Sequence, residues 1–496
     1  MENACQNNAD QLHRSGVSAW QNGDIITALE LVLKAIKADS NAPEYYNTFG
    51  VILAQADRDQ SAVKAYRKAI ELNNDYAQAY SNLGNCLQKQ NNYAESIQYY
   101  TTAIKLNPEY AEAHNNLASA LYQLGNFKAA IKHCRKAIEL KADYAEAYNT
   151  LAAALNMAQS YDEAIECYNK TIELAPDYAE AYYSRGISYL SCGRFAEGWD
   201  DYQWRLKTAG TKIQLPRDKP WWRGEYFQGK TLLVQSEQGF GDSIQFVRYL
   251  PMVKDRGGAV ILAEKPELID LFRDLDGIDD LAGVKELEDG AVKYDLYVPL
   301  LNLPGIFNTT ADNIPARIPY LFAKEPKVAY WRNKIATDAF NIGLAWAGNP
   351  IHTNDHNRSC DLKNFTPLAE IKNVKLFSLQ KGPGIEQIKD WPGDTELIDL
   401  GRKFEDFTDT AAAIENMDMV ISVDTSVLHL AGAMAKTAWA LIPCNSDWRW
   451  MMERQDSPWY PTMRLFRQKS PGCWTDVFAR VKKELQAPAD KQKVSN

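Results

Sequence analysis

The chain lacks most marks of a metal enzyme, a membrane protein or a nucleic-acid binder. Its eight cysteines, at 5, 86, 134, 167, 192, 360, 444 and 473, form no CxxC pair. Thiols scattered over apolar helical positions predict buried, reduced cysteines rather than disulfides or zinc ligands. The six histidines, at 13, 114, 133, 352, 356 and 429, show no metal-ligand spacing. No apolar run reaches the roughly 18–20 residues that span a bilayer. The opening residues Met1-Glu-Asn-Ala-Cys-Gln6 hold no basic stretch before an apolar core. Positive charge is not in excess: the net charge is −9, which argues against general nucleic-acid binding. These absences predict a cytoplasmic chain with no membrane span, no nucleic-acid partner and no metal. At 496 residues it is too long for one hydrophobic core.

What is present first is repetition. Tyr80-x-x-Leu83-Gly84-x-x-Leu87 returns as His114-x-x-Leu117-Ala118-x-x-Leu121 and as Tyr148-x-x-Leu151-Ala152-x-x-Leu155, a period of 34 residues. Alanines recur at 62 and 69, 130 and 137. Small residues at these points let two helices cross closely, and the pattern resembles the tetratricopeptide repeat. Six units fit: 9–42, 43–76, 77–110, 111–144, 145–178 and 179–212. The last is degenerate, with Gly198 and Trp199 breaking the pattern. Such units stack into an α-solenoid with a concave face. The fifth position of each first helix carries Asn47, Ser81, Asn115, Asn149 and Tyr183. An asparagine can both donate to and accept from a peptide backbone, so Asn47, Asn115 and Asn149 are the expected peptide-binding residues. The second position, Glu44, Gln78, Glu112, Glu146 and Glu180, suggests a partner with basic character.

Residues 213–228 mix Pro, Gly and Trp without period and predict an ordered linker. Beyond it, short apolar strands alternate with helices, the pattern of a doubly wound parallel sheet. The expected domains are 1–212 (solenoid), 229–322 and 323–480 (two Rossmann-like sheets), with a frayed polar tail over 481–496. Two junctions stand out. Gln238-Gly-Phe-Gly-Asp-Ser-Ile-Gln-Phe246 is a tight turn into a helix. Met419-Val-Ile-Ser-Val-Asp-Thr-Ser-Val-Leu-His-Leu430 is a strand, a hydroxyl-bearing turn and a helix. A helix N-terminus favours anions such as phosphates, although Asp, Thr and Ser there also serve as simple caps. Ile244 occupies the place of the third glycine of a dinucleotide fingerprint, and there is neither a Walker A lysine nor a GxSxG elbow. Asp274-Leu-Asp276 has a metal-binding form but reads as a turn beside Gly277.

These two motifs resemble those of GT-B glycosyltransferases, and more narrowly the heptosyltransferase-like glycosyltransferase family 9. The layout of solenoid plus transferase is similar to bacterial flagellin glycosyltransferases and, distantly, to protein O-GlcNAc transferases. The resemblance implies an α-solenoid followed by an α/β GT-B fold. It implies a metal-independent enzyme without a cofactor, using a nucleotide-sugar as co-substrate. Asp242 matches the general base, and desolvation would raise its pKa toward usefulness. Arg358 would neutralise the leaving phosphate, with Lys381 assisting. Asp424, Thr425, Ser426, His429 and Gln380 would hold the donor, and Trp448 would stack on its base. The solenoid makes a polypeptide acceptor, such as flagellin, the expected partner. Two alternatives stay open: a saccharide or lipopolysaccharide transferase whose solenoid serves assembly, and a non-catalytic scaffold.

Overall fold

The computed structural model describes residues 2–491 except 211, 212, 214, 215, 217, 336 and 353, with side chains over 7–486. Residues 214, 215 and 217 of the expected linker, and the end of the expected tail, lie outside the described residues. The chain divides into two compact units, 1–185 and 186–496.

The first unit is a helical solenoid. Its helices are α1 (Glu2–Gln21), α2 (Ile25–Ala38), α3 (Pro43–Gln55), α4 (Asp59–Leu72), α5 (Ala77–Lys89), α6 (Tyr93–Leu106), α7 (Ala111–Gln123), α8 (Phe127–Leu140), α9 (Ala145–Met157) and α10 (Tyr161–Leu174). The series continues with α11 (Ala179–Ser191) and α12 (Phe195–Tyr202), and the division between units falls inside α11. The small residues act as expected. A methyl group on Gly84 would lie 2.6 Å from the Tyr100 ring, and one on Gly50 2.6 Å from Tyr66. One left-handed residue recurs in each turn between paired helices, at Gly23, Asp57, Asn91, Gly125, Gln159 and Gly193. It ends the first helix of each pair, as αL caps do. Cys86, Cys134 and Cys167 are buried free thiols, and burial pushes Cys134 up to about 12.

The asparagine column is a correction. Asn47 and Asn115 are buried. Asn82 donates to the Asn47 carbonyl oxygen at 2.9 Å, and Asn115 donates to the Tyr144 hydroxyl at 3.5 Å. Buried amides need partners, and here the next repeat supplies them. Asn116 likewise donates to Asn85, and His13 meets Thr48, both at 2.9 Å. Asn149 is only half-buried.

His114 and His133 stack between α7 and α8, with their Nδ1 atoms 3.0 Å apart. Burial holds both imidazoles below their ordinary value of 6.5. The unfolded chain therefore binds more protons than the fold as the pH drops, so stability is present above about pH 6.5 and falls away below it. The solenoid's melting temperature should drop between about pH 7 and about pH 5. The double variant His114→Gln, His133→Gln should flatten that slope; an unchanged slope would refute the assignment.

The second unit holds two parallel sheets. Strands β1 (Thr231–Gln235), β2 (Ala259–Glu264), β3 (Asp280–Gly283) and β4 (Leu296–Pro299) lie in the order β3-β2-β1-β4. Strands β5 (Phe340–Ala345), β6 (Val374–Ser378), β7 (Leu397–Asp399), β8 (Met419–Val423), β9 (Ala438–Ile442) and β10 (Met463–Arg467) lie in the order β10-β9-β8-β5-β6-β7. Strands β5, β8 and β9 are buried throughout, as the largely apolar strands of a parallel sheet covered on both faces are. Ile342, Leu344, Ile421 and Leu441 pack there with Val477, Phe478 and Val481 of the last helix, Thr475–Lys491, which runs on through residues expected to fray. In each sheet the strand order reverses beside its first strand, between β1 and β4 and between β5 and β8. The crevice outside the strands' carboxyl ends at such a reversal is where doubly wound sheets take ligands.

Most of the degenerate sixth repeat, from Gly186 onward, belongs to this second unit. Gly198 gives the space that Leu190 fills, since a methyl group there would lie 2.6 Å from it. Trp199 is buried, donates its indole N–H to the Thr309 carbonyl at 2.8 Å, and meets Trp448 edge-on at 5.3 Å. The residues that break the repeat pattern are thus core residues of the sheet unit. Among the described residues, no helix is long and apolar enough to cross a membrane.

Candidate functional site

The turns after β1 and β8 meet. The helix Phe240–Phe246 packs on the helix Ser426–Ala433. A methyl group on Gly241 would lie 2.8 Å from His429 Cδ2, so the two helices touch where only glycine fits. The two motifs are in contact rather than apart across an open cleft.

Asp242 is bound on both oxygens. One accepts from the Gly239 backbone N–H at 2.8 Å. The other accepts from Arg449 Nη2 at 2.5 Å. The Arg449 guanidinium also donates to Gln245 at 2.6 Å and to Asp447 at 2.9 Å, and it is buried. Burial works against its charge, but Asp447 and Asp242 outweigh that and hold it well above its ordinary value. The carboxylate expected to act as the base is in a charge-assisted pair, which fixes its direction.

Asp424 follows β8 and is buried. Its Oδ1 lies 3.7 Å from His429 Nε2, and His429 Nδ1 lies 2.9 Å from the Tyr460 hydroxyl. Burial pushes Asp424 up, but His429 and Arg358 outweigh it and leave the carboxyl below its usual value. Thr425 is the helix N-cap without a side-chain capping bond; its hydroxyl lies 3.0 Å from Ser422 Oγ. Thr425 and Ser426 are partly open to solvent, so the first turn is not closed by its own side chains. Arg358 lies across Gly348 and donates to Asp355 at 3.1 Å, with its charge felt at Asp424.

Three expected donor contacts are spent elsewhere. Gln380 is buried. It accepts from the Trp346 and Ala347 N–H groups and donates to the Ala347 and Pro383 carbonyls, tying the β5 and β6 loops together. Lys381 Nζ donates to the Phe404 and Glu405 carbonyls at 2.7 and 2.8 Å. Trp448 is 3% exposed and enclosed by Trp199, Tyr202, Phe246 and Trp459, so no face is open for a base. Asp274, of the DxD, pairs with Lys324 at 3.6 Å. Among the described residues no group of three or more His, Cys, Asp or Glu side chains is placed to hold a metal.

Residues without a role assigned from the sequence complete the site. They are Arg449, Asp447, Tyr460 and His352. His352 stands on the exposed loop after β5, and its Nδ1 accepts from the Asn354 N–H at 3.1 Å. Its ring feels Asp447, Asp424 and Asp242 together; burial first, then Arg358, still hold it below its ordinary value. In the sequence Arg449 is flanked by two tryptophans, in Asp447-Trp-Arg-Trp450. A cluster of paired cations and carboxylates at two facing strand reversals suits a ligand that is itself charged, such as a phosphate diester, and a hydroxyl to be deprotonated.

Comparison with known proteins bears on the first unit most directly. Tetratricopeptide-repeat family models match residues 81–145, and 50–91 and 154–193. The chain begins with a tetratricopeptide-repeat solenoid. Protein FlbA of Caulobacter vibrioides is 26% identical over 331 residues, covering 61% of this chain and 54% of FlbA. The chain thus spans about half the length of that curated relative. Among solved structures, YrrB, a TPR protein with an unusual peptide-binding site, is 24% identical with a TM-score of 0.32, covering 36% of this chain and 93% of its own. MamA is 27% identical with a TM-score of 0.30, covering 32% of this chain and 92% of its own.

Proposed function

We propose that this protein is a GT-B glycosyltransferase that moves a sugar from a nucleotide-sugar to a Ser or Thr hydroxyl of a protein recruited by the solenoid. The observation that carries the reading is the junction at Gly241 and His429, which joins the Asp242 turn to the Asp424-Thr425-Ser426 turn at two strand-order reversals. The likeness to FlbA extends into the sheet unit, because 61% of the chain is more than residues 1–212 hold.

In this mechanism the acceptor hydroxyl attacks the anomeric carbon as its bond to the diphosphate breaks. Asp242 takes the hydroxyl proton. A carboxylate has about four lone-pair sites, and the bonds to Gly239 and Arg449 leave others for that proton. Arg358, His352 and the open first turn at Thr425 and Ser426 stabilise the diphosphate as its charge grows. Flagellin is the first acceptor to try.

The purified chain should be stabilised by a nucleoside diphosphate, by about 2.7 kcal/mol at a hundred times Kd. Asp242→Asn should lower sugar transfer to a co-expressed acceptor, read as intact-mass gain, by about 10²–10⁴-fold while keeping that stabilisation. A panel of nucleotide-sugars and nucleoside diphosphates that produced no melting shift would sink the proposal.

A further inference from the structure

One edge of the solenoid repeats a pairing of tyrosine and acid. Tyr76, Tyr110, Tyr144 and Tyr178 stand one repeat apart, just before α5, α7, α9 and α11. Thirty-two residues before them stand Glu44, Gln78, Glu112 and Glu146. The charge of each glutamate reaches its tyrosine. After burial itself, Glu44 raises Tyr76, Glu112 raises Tyr144, and Glu146 with Glu180 raises Tyr178. At Tyr110 the equivalent position is the neutral Gln78.

One of these pairs is already occupied by the chain's own lysine. Lys141 Nζ sits 4.8 Å over the Tyr144 ring and 3.7 Å from Glu112 Oε1. An ammonium between a ring face and a carboxylate gains from both. The repeat-equivalent positions of Lys141 are Asn73 and Ala175, which have no cation to offer. The exposures agree: Tyr144 is 9% exposed under its lysine, while Tyr76 and Tyr178 are half-buried. The Asn115 and Asn149 side-chain oxygens, in the same repeats, are shut from solvent without a hydrogen-bond partner. Toward the chain start, Ala42 replaces the tyrosine, and a cavity lined by Asp10, Asp39, Glu44 and Tyr45 prolongs the acidic edge.

We propose that this edge docks an extended polypeptide bearing lysine side chains, with Tyr76–Glu44 and Tyr178–Glu146 each seating one ammonium as Tyr144–Glu112 seats Lys141. The inference rests on the reading that the solenoid recruits a polypeptide, and it names the chemistry of that partner.

The test is fluorescence anisotropy with the full chain. The probes are a labelled Gly/Ser peptide carrying spaced lysines and the same peptide acetylated at every lysine. The unmodified peptide should bind about tenfold or more tightly than the acetylated one. Tyr178→Leu and Glu146→Gln should each weaken it about three- to tenfold and leave the acetylated peptide unaffected. Lys141→Ala should open a third seat and tighten binding. Equal affinity for both peptides, or no effect of Glu146→Gln, which keeps the side-chain shape, would overturn the proposal. In that case polypeptide recruitment still stands by a different surface chemistry. If neither peptide bound at any concentration, the recruitment reading would fall with it.

Discussion

Replacing Arg449 by methionine is expected to cost the sheet unit about 3–5 kcal/mol of unfolding free energy, the usual result of removing one partner from a buried ion cluster. It should also abolish sugar transfer. The guanidinium satisfies Asp242, Asp447 and Gln245 at once, and its loss leaves two carboxylates crowded without a counter-charge. Urea unfolding followed by tryptophan fluorescence reads the first effect, since Trp448 and Trp450 flank the site. Arg449→Lys should recover only part of the loss, because an ammonium cannot reproduce a planar fork with three acceptors. An unchanged urea midpoint in the methionine variant would show that the cluster does not hold the two turns together.

Trp199→Ala should cost about 3–5 kcal/mol as well, although the residue sits in a repeat helix. Its ring fills space against Trp448, Tyr202 and Phe195, and its N–H is taken by Thr309. The loss should therefore appear in the unfolding transition of the sheet unit and not in that of the solenoid. Trp199→Phe should retain most of the packing and lose about 1–3 kcal/mol for the Thr309 carbonyl left without its donor. Calorimetry of both variants against the native chain decides it; a shift confined to the solenoid's transition would contradict the assignment of this helix.

Where the chain signals itself locally, the sequence is readable. The strands at 419–423 and 438–442 are apolar runs, broken only by Ser422, and lie where the pattern places them. The glycines opposite Tyr66 and Tyr100 mark helix crossings through their lack of a side chain. Strands β3 and β10 gave no such signal. Asp280-Leu-Ala-Gly283 is too short and mixed, and Met463-Arg-Leu-Phe-Arg467 is an edge strand with charges. The left-handed residue of each repeat hides because Asp57, Asn91 and Gln159 fill a place where glycine is expected.

At the candidate site, Asp242, Asp424 and His429 stand out because each sits in or close after a turn with its own pattern. Arg449 reaches Asp242 across 207 residues of chain, and no spacing rule reports that approach. Gln380 and Lys381 sit at a strand end, as ligand contacts do, but loops folding back claim their polar atoms first. Asn47 and Asn115 look outward in a single repeat and are buried only by the next one, so their fate is a property of stacking rather than of helix periodicity.

That stacking also governs how such an array can change length. The bonds of Asn47 to Asn82 and of His13 to Thr48 each join residues 35 apart. Duplicating or deleting one whole repeat presents each amide with an equivalent neighbour. An insertion of any other length sets an aliphatic side chain opposite a buried amide, at about 1–3 kcal/mol for each group left unmatched. Inheritance of this solenoid is therefore quantised: it can grow or shrink only in whole units.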